Sequence, residues 1–176
     1  MYTLSTNAER LIAYNFDADS FIAVAEGGRL DFPQGFAVWS ATSFLISTHS
    51  NEILLVGTEG ETSTFVTISD PNTDAGNLLL IPDQRAVAMS LKGSLTSRIV
   101  LFSMDVFESK GAMTLDDIIG NIDVPATAQG TNYMTIGEND NEILFTNWFT
   151  DRGSDRVLRW CLPNTDCDPS VSTPLP

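Results

Sequence analysis

Histidine, cysteine and lysine are nearly missing from this chain. Its 176 residues include one histidine (His49), two cysteines (Cys161 and Cys167) and two lysines (Lys92 and Lys110). With a single imidazole, any Ser-His-Asp chemistry would have to use His49, which Ser47 and Ser50 flank. Its place between two β-patterned runs reads as a turn histidine. Two cysteines are too few for a disulfide framework or a structural zinc site. They lie six apart, so a small loop over Leu-Pro-Asn-Thr-Asp and two separate thiols both stay open.

Nine bases stand against 23 acids, for a net charge of −14. Such a surface repels nucleic-acid phosphates and anionic membrane surfaces, and it favours divalent cations and basic partner patches. No apolar run reaches the roughly 18 residues a membrane helix needs, so no membrane insertion is expected. Met1 to Arg10 lacks a basic stretch followed by an apolar one, so no secretory signal is expected within this chain. A Gly-rich phosphate loop, Cys-His metal spacing and a heptad run are all absent from the sequence.

What is present is β-strand vocabulary. Hydrophobic residues make up 43%, enough for a packed core. Short apolar or alternating runs recur with turns between them: Arg10 to Asp17, Phe21 to Ala25, Phe36 to Trp39, Ser43 to Thr48, Ile53 to Val56, Thr64 to Ser69, Leu78 to Ile81. The series continues through Ala86 to Leu91, Arg98 to Met104, Asn132 to Ile136, Glu142 to Thr146 and Val157 to Leu162. This spacing predicts an all-β sandwich or barrel. The run from Arg10 is apolar on both faces, as in a strand covered on both sides. One short helix is expected near 115–121. Thr114 can cap it, Asp117 completes a capping box, and Leu115, Ile118, Ile119 and Ile122 share a helical face.

The chain also repeats itself. Asn51-Glu52-Ile53-Leu54 returns as Asn141-Glu142-Ile143-Leu144, and Pro71-Asn72-Thr73-Asp74 returns as Pro163-Asn164-Thr165-Asp166. Arg10 to Asp17 also aligns with Arg98 to Asp105. Repeats constrain a fold more than local propensity does. The expected organisation is therefore a tandem pair of sandwich- or barrel-like units, 1–88 and 89–176, related by a pseudo-twofold. Each is small for an independent core, so the two are expected to pack as one unit. The tail from Asp168 is rich in Pro, Ser and Thr. A fragment of a β-propeller has similar turns and ranks behind, because two lone blades leave edges exposed.

Candidate site residues follow from residue type. Acidic turns suit calcium, which takes about six to eight oxygens. Asp70, Asp74, Asp166 and Asp168, at the Pro-Asn-Thr-Asp turns, are the candidates, though solvated turn carboxylates are the simpler reading and are preferred over calcium. Trp148 and Phe149, beside acidic turns, form the candidate ligand platform, whereas Trp160 reads as core. Arg152, Arg156 and Arg159 concentrate a third of the chain's bases; they either balance neighbouring aspartates or present a basic patch to another subunit. Carboxylate pairs for glycoside cleavage cannot be picked from so many acids.

The function expected is that of a non-enzymatic assembly protein. It would dock β surfaces against copies of itself or a scaffold with a basic surface, as in a virion capsid, a capsid decoration or an extracellular surface lattice. A carbohydrate-binding module, possible with calcium as its only cofactor, is the alternative. A glycoside hydrolase-like chain or propeller fragment comes third.

Overall fold

The computed structural model describes residues 1–93, 97–124, 128–137, 141–149, 157–163 and 165–167; at 124, 128–132 and 147–149 it describes the backbone alone. The chain is all-β, as expected, and it forms four antiparallel meanders. The first sheet is β1 (Tyr2–Ser5), β2 (Arg10–Asn15) and β3 (Ser20–Glu26), in that order. The second holds β4 (Gly35–Ser40), β5 (Ser43–Ser47), β6 (Glu52–Gly57) and β7 (Thr62–Thr67). The third holds β8 (Thr73–Ile81), β9 (Ala86–Gly93) and β10 (Ser97–Ser103). The chain then makes helix α1 (Met104–Lys110) and a short β11 (Met113–Thr114) parallel to β7, and returns as β12 (Ile118–Val124) beside β10. The fourth sheet is β13 (Ala128–Ile136), β14 (Glu142–Phe149) and β15 (Val157–Cys161).

The sheets stand in a row, and a core fills each gap. Leu11, Ala25 and Leu30 meet Phe44, Ile46, Leu54 and Val56 between the first and second sheets. Leu45, Ile53, Phe65 and Val66 meet Val87, Met89, Val100 and Phe102 between the second and third. Ala86, Ala88, Ile99 and Leu101 meet Ile143, Phe145 and Trp160 between the third and fourth. The period-2 pleat sends alternate residues of one strand into different cores. In β5, Phe44 and Ile46 face one way and Leu45 the other. In β9, Val87 and Met89 face the second sheet, and Ala86 and Ala88 face the fourth. β8 lies against both β4 and β13, so these strands line one side of the row. Consecutive antiparallel meanders packed face to face form a propeller-type arrangement.

This corrects the expected pair of sandwich- or barrel-like units: there are four sheets, and no closed barrel among the described residues. Residue 88 falls inside β9, a strand shared by two cores. The repeated tetrapeptide does mark equivalent hairpins. Ile68 N–H donates to Asn51 O at 2.8 Å, and Leu162 N–H donates to Asn141 O at 2.8 Å. Ile53 pairs with Val66, and Ile143 with Trp160. The two copies nevertheless sit at opposite ends of the third sheet. His49, in the first hairpin, reaches Asp74 near the start of β8, whereas Asn141, in the second, accepts from Gln84 just past the end of β8. Both isoleucines point at the third sheet, from opposite sides. In both copies the motif carries a turn into a strand.

The expected helix at 115–121 is also corrected. Thr114 and Asp117 do form the capping box, but it closes one 3-10 turn over Leu115–Asp117 before β12 begins at Ile118. β-branched isoleucines favour that strand. The α-helix lies earlier, at Met104–Lys110. Ser103 caps its N-terminus and Gly111, at φ 84°, ends it. Phe107 holds it to the second sheet through rings 4.6 Å from Phe65 and 5.8 Å from Trp39. Among the described residues no helix is long and apolar enough to cross a membrane.

Candidate functional site

The one histidine lies where several turns meet, at the rim of the second and third sheets from which β4, β6 and β8 start. The turn Thr48–Asn51 joins β5 to β6 and is held rigidly. Thr48 is fully buried, and its amide and hydroxyl both donate to Glu52 O at 3.0 Å. Asn51 takes φ 60°, a left-handed conformation that asparagine tolerates. The segment entering β4 closes over this turn. His49 N–H donates to Asp31 O at 3.0 Å, and Gln34 N–H donates to Ser47 O at 2.9 Å. Phe32 sits edge-on to the imidazole, 6.4 Å between centroids. Its φ of 40° is costly for a bulky side chain, on the order of 1–3 kcal/mol, and such outliers gather at functional sites.

Asp74 arrives from β8, with Oδ1 3.5 Å from His49 Nδ1. Its strand is anchored by the preceding turn. Asp70 accepts from the Asn72 amide at 2.9 Å and from the Thr73 hydroxyl at 2.8 Å. These bonds, with the positive charge of Arg98, hold the Asp70 carboxyl below its usual range. His49 and Asp74 are 58% and 48% exposed, so the pair is open to solvent and to a ligand. An imidazole oriented by a carboxylate can move a proton as general base or acid.

The sequence-derived candidates disperse over the molecule. Asp70 is committed to its own turn, and Asp74 faces His49. Asp166 lies in the loop that the Cys161–Cys167 bond closes after β15, and Asp168 is outside the described residues. Among the described residues, no three His, Cys, Asp or Glu side chains gather as a metal-holding group. Trp148 and Phe149 fall in β14, where only the backbone is described. Arg152 and Arg156 lie outside the described residues, so the run of three arginines is represented by Arg159, ion-paired with the buried Glu142. Cys161 and Cys167 are joined by a disulfide, with Cα atoms 5.4 Å apart. Arg159 Nη2 lies 3.2 Å from Cys167 Sγ. Sequence reasoning missed the contacts of Asp31, Phe32 and Asp74 with His49. The one local signal was the chain break at Asp31-Phe32-Pro33.

No family model matches the chain, and no curated protein matches it in sequence. Its fold does match solved structures. A virginiamycin B lyase from Staphylococcus aureus aligns with TM-score 0.55 and 12% identity, over 92% of this chain and 52% of that one. A streptogramin B lyase aligns with TM-score 0.53 and 11% identity, over 92% and 51%. A Bacteroides uniformis protein assigned provisionally as a 6-phosphogluconolactonase aligns with TM-score 0.57 and 14% identity, over 94% and 49%. The chain spans about half the length of these proteins. At such identities the likeness is one of fold.

It still overturns the expectation of a non-enzyme, because solved proteins of this fold are named as enzymes. That expectation rested on missing catalytic motifs. The fold instead assembles side chains from separate turns, as it does His49 and Asp74.

Proposed function

We propose that this chain is a propeller-type assembly unit, which docks the open faces of its end sheets against further β structure. The observation carrying this reading is the outer face of the first sheet. Phe16 and Phe21 are 69% and 67% exposed there, each with its ring 4.9 Å from that of Tyr14. An aromatic cluster left in water marks a contact surface. Light scattering after size exclusion, across a range of protein concentrations, tests it. A defined oligomer is expected, and a monomer throughout would sink the reading.

A second reading concerns chemistry at the His49–Asp74 end. It is favoured by that pairing and by the lyase and lactonase names attached to proteins of this fold. Substrates to try are a streptogramin B antibiotic and 6-phosphogluconolactone. Turnover that His49→Ala abolishes and Ser50→Ala leaves intact would support it. Equal turnover in wild type and His49→Ala would remove it.

A further inference from the structure

We infer that the Cys161–Cys167 bond is a thiol-responsive clasp. The Arg159 guanidinium selects Cys167 as the sulfur that leaves when a small thiol reduces the bond, and reduction frees a loop that walls a crevice between the third and fourth sheets. The clasp belongs to the fourth sheet and stands apart from the His49–Asp74 pair.

The clasp is built at one end of a hairpin. Glu142 begins β14 and pairs in register with Cys161, the last residue of β15. The Glu142 side chain is held in place. It lies so close to Gly137 that a β-carbon there would collide with it, and its carboxylate is ion-paired with Arg159. Arg159 Nη2 lies 3.2 Å from Cys167 Sγ, and Glu142 Oε2 lies 3.8 Å from the same sulfur. Glu142 is only 8% exposed, so little water screens the charges around that sulfur.

The guanidinium contact falls on Cys167 Sγ. In thiol–disulfide exchange the sulfur better able to carry negative charge leaves faster, and a neighbouring arginine confers that ability. A small thiolate therefore attacks Cys161 Sγ. A bond forms between those two sulfurs, the Cys161–Cys167 bond breaks, and its electron pair leaves on Cys167 Sγ beside Arg159. A second small thiolate attacks the sulfur of the first. That step releases the small disulfide and a Cys161 thiolate, which takes a proton from water. The two small thiols are oxidised to one disulfide, and the protein bond is reduced.

The closed loop carries Leu162 and Pro163. Leu162 is buried in the core between the third and fourth sheets. Pro163 reaches across to β12. A β-carbon at Gly120 would come within 2.8 Å of Pro163 Cγ, so glycine is what lets the ring approach. With Gln84, Ala86, Leu101 and Ile119, these two residues line a crevice of about 190 Å³. Thr165 Oγ1 donates to Leu162 O at 2.8 Å within the loop, which does not tie the loop to the third sheet. Cutting the bond therefore restores freedom to the wall of the crevice.

The test is a short pulse of 2-mercaptoethanol with iodoacetamide present, which caps the freed sulfur before the bond can close again. Mass spectrometry then maps both groups. The mercaptoethanol adduct is expected on Cys161 and the cap on Cys167, by about 5-fold or more over the reverse. Arg159→Gln is expected to remove that preference and to slow reduction by about 5-fold. It also leaves Glu142 without the cation it pairs with, so Glu142→Gln/Arg159→Gln, which removes both charges, is run beside it and is expected to lose the preference as well. In the wild type, the methyl resonances of Leu101 and Ile119 are expected to shift on reduction as Pro163 moves off. Adducts on Cys167, or equally on both sulfurs, would overturn the choice of leaving sulfur, and so would a double variant that keeps the wild-type preference. Unchanged Leu101 and Ile119 resonances in the reduced chain would overturn the freeing of the wall.

Discussion

The third sheet and the first are built from the same kinds of residue and meet different fates. In the third, Val87, Met89, Val100 and Phe102 fill one core while Ala86, Ala88, Ile99 and Leu101 fill another, and all of them are buried. In the first, Leu11 and Ala25 are buried on one face while Phe21 stands in water on the other. An apolar run on both faces of a strand therefore specifies a sheet that needs two neighbours. Among the described residues the third sheet finds both, and the first finds one. The contrast separates residues that hold this chain folded from residues available for holding it to something else.

The largest test attacks the covered side of that contrast. Phe102 is fully buried between the second and third sheets. Phe102→Ala removes the ring and leaves a cavity, at a cost of about 3–5 kcal/mol. Urea denaturation should show that loss, and a loss below about 1 kcal/mol would mean this core is not what holds the two sheets together.

A smaller effect is expected at the open end of the row. The Cys161–Cys167 bond closes a loop just beyond β15 and lies beside the Glu142–Arg159 pair. A loop this short limits the unfolded chain modestly, by roughly 2 kcal/mol on loop entropy. Cys161→Ser/Cys167→Ser should lower the urea midpoint accordingly. The first three sheets should keep their amide protection, because the bond crosses no gap between sheets.

Smaller again is the response to acid. The Lys110 ammonium, with the Thr114 amide, holds the Asp117 carboxyl below its usual range, and the Asn72 amide, with the Thr73 hydroxyl and Arg98, does so for Asp70. A carboxyl depressed on folding contributes stability that is complete above its unfolded value, near 4, and is lost as pH falls through the lower folded value. The urea midpoint should thus fall as pH drops below about 4. Asp117→Asn should flatten that fall, and an unchanged pH profile would show that the Lys110 contact does not form in solution.

Much of the fold was legible because strands announce themselves locally. Ile53 to Val56 and Ala86 to Leu91 carry β-branched and apolar residues between turn residues, and both are strands in the structure. The capping box at Thr114 was legible for the same reason, but its length was not. One 3-10 turn and two turns of α-helix begin with the same residues, and Ile118 to Ile122 were resolved by pairing with β10. The tetrapeptide repeat did not reveal the four sheets, because a turn-to-strand entry has one local code wherever in a sheet it occurs. The candidate site was hardly legible at all. His49 and Asp74 meet only because β6 and β8 start at the same end of neighbouring sheets, and no sequence spacing expresses that.

The smallest expected change in stability gives the sharpest comparison. Phe21→Ser on the open face removes a ring that is 67% exposed, so the isolated chain should change by no more than about 0.5 kcal/mol. Its ring contact with Tyr14 is made largely in water and adds little. Should the same variant unfold as readily as Phe102→Ala, the first sheet would be holding the fold from both faces, and its outer face would no longer be free to bind. Unchanged stability with lost association would place Phe21 on the contact surface. That result would make the difference between the first and third sheets one of role, since the residues that fill them are alike.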